Sequence, residues 1–168
     1  MNITIRAMTL EDTAMVADLL QANSAIHHGG LFGEFPNAKV AGMYQSSLHS
    51  IIALDQSSSH PNNVAGVLFS FPVNSPSLPP IAQEINRRFP AISQNNWFYG
   101  PVCIAEHYRG QSLLIRLYQQ MCQQNSGQAV AFINSDNIAS LKAHQKIGMQ
   151  KVAEFELLNK RWLVMCGE

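Results

Sequence analysis

Charge is what this 168-residue chain has least of. Asp, Glu, Lys and Arg make up 13% of it, and eleven basic residues balance eleven acidic ones, so the formal charge at pH 7 is zero. The usual share is about 25%. A non-specific phosphate-backbone binder needs a basic footprint. Here Lys and Arg are scattered, the tight pairs being Arg87-Arg88 and Lys160-Arg161, which argues against nucleic acid as a partner. Long apolar runs are missing as well. The strongest, Val64 to Phe71, is far short of the ~20 residues that cross a bilayer. The amino terminus, MNITIRAMTLEDTA, offers no apolar stretch of signal-peptide length. The expectation is a cytoplasmic protein without membrane association. Cys103, Cys122 and Cys166 are odd in number and lack C-x-x-C spacing. Neither a disulfide framework nor a metal site is expected from them. Neither G-x-G-x-x-G nor G-x-x-x-x-G-K-[ST] occurs, which removes the Rossmann and P-loop nucleotide folds.

What the chain does have is 46% hydrophobic residues. With this length, that suits a single domain over residues 1–168 that buries about two-thirds of its unfolded surface. Ile3 and Ile5 alternate as in a strand, and Thr9-Leu10-Glu11-Asp12 reads as a helix cap. Met15, Val16, Leu19 and Leu20 then follow at helical spacing, and Gly29, Gly30 and Gly33 mark a long loop. Pro36 opens a second helix holding Val40, Met43, Tyr44 and Leu48, followed by strands at 50–54 and 64–71. Residues 72–96 hold five of the eight prolines and one helical stretch, 81–89, and read as an insertion.

Trp97–Ile104 is strand-like, yet Gly100-Pro101 in its middle cannot sit in a regular ladder, because proline lacks the amide donor; a bulge or splay is expected there. Leu114, Leu117, Tyr118 and Met121 form the stripe of a helix over 111–124, and a buried strand follows at 129–133. Asn137 or Asp136 caps a helix over 138–147 that stops at Gly148. Runs at 152–158 and 161–165 close the chain as a hairpin about Asn159-Lys160. The fold class is therefore α/β, a central mixed sheet of about six to seven strands with one bulged, splayed strand and four main helices.

Two segments carry chemistry. His107-Tyr108-Arg109-Gly110-Gln111-Ser112-Leu113-Leu114 joins the bulged strand to a helix, so free backbone amides and the positive end of the helix dipole meet there, with Arg109 adding charge and Gly110 allowing close approach. That arrangement suits a phosphate. Asn137, Leu141, His144 and Gly148 recur at i, i+4, i+7 and i+11, on one face of the later helix. Cys103 has no charged sequence neighbour and reads as an inert thiol.

The first segment resembles the acyl-coenzyme A signature of the GNAT N-acetyltransferase superfamily, Gln/Arg-x-x-Gly-x-Gly/Ala, with His107 in place of the first polar residue and Ser112 in place of the second glycine. The second, from Asn137 through Ser140, Leu141, His144 and Lys146 to Gly148-Met149, is similar to that family's helix pattern N-x-x-[AS]-L-x-x-[YH]-x-K-x-G-[FM]. The order of elements agrees over nearly the whole chain. The resemblance implies a GNAT-like fold and acetyl transfer from acetyl-CoA to a primary amine in a ternary complex, with no metal. It places the pantetheine arm along Val102, Cys103 and Ile104, and the diphosphate on Arg109, Gly110, Gln111, Ser112, Leu113 and Leu114, with Asn137 and Ser140 bordering the cofactor. A backbone N–H near the bulge would act as oxyanion donor.

His144 stands where the family usually has a tyrosine that protonates the departing thiolate. From reference pKa values of about 6.5 and 8.5, that transfer is downhill by roughly 2.7 kcal/mol, and the nearby helix C-terminus is expected to favour the cation. An ammonium acceptor must first lose a proton. The candidates for removing it are Glu106, Tyr99 and, in the loop bordering the acceptor cleft, His27, His28 and Glu34. The acceptor is expected to be a small-molecule or peptide amine. The insertion and the carboxy-terminal strands are the candidate surfaces for a homodimer. The competing expectation, motivated by His107, Ser112 and the lack of an obvious base, is a catalytically degenerate module that binds coenzyme A or a protein.

Overall fold

The apolar run at 64–71 becomes the inner strand of a seven-stranded sheet, because a strand covered on both faces has no side left for polar groups. A computed structural model describes residues 1–27 and 30–167, the side chain of Ile26 apart; His28, Gly29 and Glu168 lie outside the described residues. The strands are β1 (Ile3–Ala7), β2 (His49–Asp55), β3 (Val64–Phe71), β4 (Trp97–Ile104), β5 (Ala129–Asn134), β6 (Gln150–Leu157) and β7 (Lys160–Cys166). They lie in the order β1-β2-β3-β4-β5-β7-β6. Among these seven strands the contact between β4 and β5 is parallel and the other neighbours are antiparallel.

Among the described residues six α-helices cover the sheet: α1 (Thr13–Ala22), α2 (Asn37–Ser46), α3 (Pro80–Arg88), the single turn α4 (Pro90–Ser93), α5 (Leu113–Gln124) and α6 (Ile138–Lys146). Four main helices are thus joined by α3 and α4, both inside the proline-rich insertion. Proline starts each of these two, where its missing amide has no helical partner to lose. Ile81, Ala82 and Ile85 of α3 then share one core with Val16 and Leu20 of α1, Val40 of α2 and Phe69 of β3. The opposite face buries Leu113, Leu117 and Met121 of α5 against Leu68, Ala131 and Met165, with Leu141 of α6 packed alongside. At the start of the chain the buried Asp12 carboxylate accepts from the Thr9 amide at 2.7 Å, which makes the expected cap, and also from both terminal nitrogens of the partly exposed Arg6.

Three local expectations are corrected. Leu48 is not a core residue of α2, which ends at Ser46; it is 43% exposed and leads into β2. The helix expected from residue 111 begins at Leu113, leaving Gln111 and Ser112 in the turn. The closing hairpin turns at Leu158-Asn159, both with positive φ, while Lys160 already pairs with Leu157. A two-residue turn whose twist matches the strands needs positive φ at both centres, and exposed Leu158 accepts it although its type gives no hint of it.

The bulge does fall at Gly100-Pro101. Leu68 and Ser70 of β3 face Val102 and Tyr99, so two residues of β4 stand opposite Phe69 alone. An inserted residue flips every later side chain to the other face. Trp97 and Tyr99 therefore face α5, Phe98 and Cys103 face α1, and Val102 and Ile104 again pack on the α5 side.

Candidate active site

β4 and β5 are paired at Trp97↔Ala129 and Phe98↔Val130 and no further, so from Tyr99 onward β4 has an open side. Antiparallel residues direct their backbone groups to alternate sides. The amide of Ala105 donates to Ala65 across β3 at 2.9 Å, which sets the phase. Cys103 is turned to β3, and Val102 and Ile104 direct their backbone groups into the splay. The open edge expected at 102–104 is thus carried by the two flanking residues. The Cys103 side chain is buried in the α1 core, and burial pushes its thiol up to about 11. It is held as a thiol.

Beyond β4 a 3₁₀ turn, Glu106–Tyr108, leads to the start of α5. Gly110 has φ +76°, a conformation that L side chains rarely adopt, and a Cβ built there would meet nothing within 4 Å, so its outer side is open. Ser112 has φ 64° and ψ 18° as the residue before the helix. A left-handed residue followed by a right-handed one turns successive amides inward as an anion-binding nest. Among the described residues none accepts from the backbone amides of Gly110, Gln111, Ser112, Leu113 or Leu114. Gln111 and Ser112 are exposed while the Leu113 side chain is buried. The turn thus presents free amides at a helix start, as an anion-binding geometry requires, and the Gly-to-Ser departure keeps the glycine-like backbone.

A feature with no local sequence signal fixes this turn. The Tyr108 hydroxyl donates to Oδ2 of Asp55 at 2.7 Å, and Oδ1 accepts from the Asn2 and Ser57 amides and the Ser57 hydroxyl. These bonds, from Ser57 and Tyr108 first, hold the Asp55 carboxyl well below the usual carboxylate range. The turn is thereby tied to the end of β2, 53 residues away.

On the other side of the splay, α6 is capped by Asn137 rather than Asp136: its Oδ1 accepts from the Ser140 amide at 3.2 Å. Gly30 lies so close that a Cβ there would stand 2.5 Å from Asn137 Nδ2, so the loop between α1 and α2 rests on this cap. His144 is directed inward. It is 4% exposed, its Nδ1 lies 2.7 Å from the Ser140 carbonyl oxygen, and its Nε2 lies 3.0 Å from the Tyr99 hydroxyl. A carbonyl can only accept, so Nδ1 carries the hydrogen, and in the neutral ring Nε2 accepts from Tyr99.

The expectation that the helix end favours the imidazolium is overturned. Burial lowers the His144 pKa and outweighs the Ser140 carbonyl, which pulls the other way. Burial likewise raises Tyr99 well above the ordinary phenol range. The structure brings Tyr99, His144 and Ser140 together where β4 leaves β5, and Arg109, Gly110 and Ser112 together at the far end of the open edge. Glu106 lies in the turn just before Arg109, whose amide donates to the Glu106 carbonyl at 3.3 Å, and its side chain is exposed, as are those of His27 and Glu34; His28 lies outside the described residues. No group of His, Cys, Asp and Glu among the described residues could hold a metal ion, and no described helix is long and apolar enough to cross a membrane. Two depressions of about 420 and 520 Å³ lie at the opposite end of β4 and share no residue with this site.

No protein-family model matches the sequence, and no curated protein matches it. Solved structures do resemble this one. The NatC complex bound to Gag peptide and CoA has a chain 14% identical with a TM-score of 0.71, matched over 99% of this chain and 98% of that one. An acetyltransferase of the GNAT family from Streptococcus pneumoniae is 10% identical with a TM-score of 0.69, matched over 98% of both chains. AAC(6')-Ib in complex with paromomycin and acetyl-CoA is 16% identical with a TM-score of 0.67, matched over 99% and 93%. Such identities speak for architecture. With the order of strands, the splay after Phe98 and the open start of α5, they show that this chain has the fold of the GNAT acetyltransferases.

Proposed function

We propose that the chain is an N-acetyltransferase that moves an acetyl group from acetyl-CoA directly to a primary amine. The observation that carries this reading is the meeting, at one end of β4, of an unpaired strand edge and a helix start lined with free amides. The edge suits the amide-bearing pantetheine arm, which pairs like an added strand, and the helix start suits a diphosphate. When bound, acetyl-CoA would supply the acetyl thioester. Val102 and Ile104 would hold the arm by backbone groups, and Gly110 to Leu114 with Arg109 would hold the phosphates. Asn137 borders the site, and Ser140 acts on it through His144.

Tyr99 and His144 form the proton path in this reading. The Tyr99 oxygen has lone pairs left after its hydrogen is given to Nε2. It takes a proton from the amine nitrogen as its own hydrogen passes to His144, and the path run backward gives a proton to the departing sulfur. Atoms balance with amide and thiol as products. Glu106 is the second candidate for deprotonating the incoming ammonium. The acceptor is a small-molecule amine or a peptide amine, and the structural neighbours AAC(6')-Ib with paromomycin and NatC with Gag peptide give one instance of each class.

The burial of both Tyr99 and His144 favours a second reading, a coenzyme A-binding module without turnover. Both readings require that saturating acetyl-CoA raise the melting temperature, and its failure to do so overturns both. Thiol release against a panel of small amines and peptide amino termini separates them. Amine-dependent release that drops at least a hundredfold in Tyr99→Phe supports the transferase. Binding with no release on any amine supports the module.

A further inference from the structure

Arg109 is already engaged before any ligand arrives. Its Nε donates to the Ile104 carbonyl at 3.1 Å and its Nη2 donates to Oδ1 of Asn23 at 2.7 Å. The two acceptors belong to different parts of the molecule. Ile104 presents its carbonyl on the open side of β4, and Asn23 closes α1 on the opposite face of the sheet, 86 residues from Arg109. Asn23 is held in place from both ends: its Nδ2 donates to the Leu19 carbonyl at 2.9 Å, and its own carbonyl accepts from the Leu31 amide at 3.1 Å. Its Oδ1 is thus a fixed acceptor aimed at the guanidinium.

We propose that this bridge is an internal competitor of the cofactor, so that Asn23, a residue outside the cofactor motif, sets the affinity for coenzyme A. The inference rests on the coenzyme A site proposed above. Nε and one Nη2 hydrogen are committed to the Ile104 carbonyl and to Asn23, so the Nε–Nη2 edge, which can pair side-on with two oxygens of a phosphate, is closed to the diphosphate while the bridge stands. Phosphate is the stronger partner, because its bonds are charge-assisted on both sides. Arg109 therefore leaves Asn23 and Ile104 when the diphosphate settles on the start of α5. The Ile104 carbonyl becomes free at the same moment for an amide of the pantetheine arm. The bonds lost in this exchange reduce the apparent affinity to that of the open form multiplied by the fraction of molecules in which the bridge is open.

The test measures coenzyme A binding to the full chain by calorimetry, with the Asn23 variants in two backgrounds. Asn23→Ala removes the competing acceptor and is expected to lower Kd about three- to tenfold, the worth of one such hydrogen bond. Asn23→Asp converts the acceptor into an ion-pair partner and is expected to raise Kd by at least as much. With Arg109→Gln in place, Asn23→Ala is expected to change Kd by less than about twofold. An Asn23→Ala affinity equal to or below that of the unaltered protein, or an effect that persists without Arg109, overturns the proposal. Where Asn23→Ala does not fold, Asn23→Asp carries the test by its sign, and an unchanged or lowered Kd overturns it. Failure of the unaltered protein to bind coenzyme A is a different result, which removes the site itself.

Discussion

The Tyr99 hydroxyl sits 3.0 Å from Nε2 of His144, and both side chains are buried. A buried imidazole whose pKa is lowered by desolvation must stay neutral in the folded state while the unfolded chain protonates normally. Below the unfolded value of about 6.5 the unfolded state binds more protons, so this residue's contribution is complete above that pH and is lost as pH falls toward the folded pKa. His144→Phe is expected to lose this acid-sensitive component. Thermal melts between pH 7.5 and 5 should show a smaller fall for the variant than for the unaltered protein. Equal falls would mean that His144 is solvated.

The same pair predicts a pH profile for turnover. The proton path needs Nε2 empty, so thiol release should decline as pH falls, with a midpoint below about 6.5. His144→Gln keeps an acceptor of similar reach but titrates nowhere in that range. Its release rate should be reduced and its acid limb absent. An acid limb retained in His144→Gln assigns the titration to another group.

Much of the fold is legible from residue types. The alternation of Ile3 and Ile5, the stripe of α5, the cap at Asn137 and the bulge at Gly100-Pro101 are local, since each is dictated by neighbours within one turn or one strand. The partnerships that position the site are not. Tyr108 with Asp55, Arg109 with Asn23 and Tyr99 with His144 join residues 53, 86 and 45 positions apart, and no spacing rule connects them. The charge state of His144 is hidden for the same reason, because the sequence displays the helix end beside it but not the depth at which the fold buries it. Ser112 illustrates the converse. As a substitute for glycine it suggests a different backbone, yet the turn imposes the left-handed conformation on it anyway.

That imposed conformation has a measurable consequence. A left-handed residue with a Cβ is strained by about 1–2 kcal/mol, which glycine avoids while adding unfolded-state entropy. Ser112→Gly is expected to be more stable than Ser112→Ala by about 1 kcal/mol, read from denaturant melts. Comparing coenzyme A binding in the two variants then isolates the hydroxyl. Equal weakening in both marks the Ser112 side chain as a phosphate donor, and unchanged affinity in both leaves the backbone amides as the donors.

The tie between Tyr108 and Asp55 should matter to the cofactor more than to the fold. Removing the hydroxyl in Tyr108→Phe leaves Asp55 with its Asn2 and Ser57 partners, so the carboxylate keeps most of its hydrogen bonds. The 3₁₀ turn before α5 loses its anchor. Coenzyme A affinity is expected to fall about three- to tenfold, the worth of one hydrogen bond, with the melting temperature little changed. A large loss of stability with intact affinity would show that the bond holds β2 rather than the phosphate turn.

Cys103 offers the last test, because its neighbourhood in the sequence invites a covalent role. The side chain points away from the splay into the α1 core, and its thiol is raised to about 11 against an ordinary 9.0. Two units correspond to about a hundredfold less thiolate at any pH below 9. Alkylation of Cys103 at pH 8 should therefore be at least that much slower than for a free thiol. Cys103→Ala should keep amine-dependent thiol release within about threefold of the unaltered rate, as transfer straight from thioester to amine requires. A variant that folds, binds coenzyme A and releases no thiol would instead point to an acetylated cysteine intermediate and overturn direct transfer.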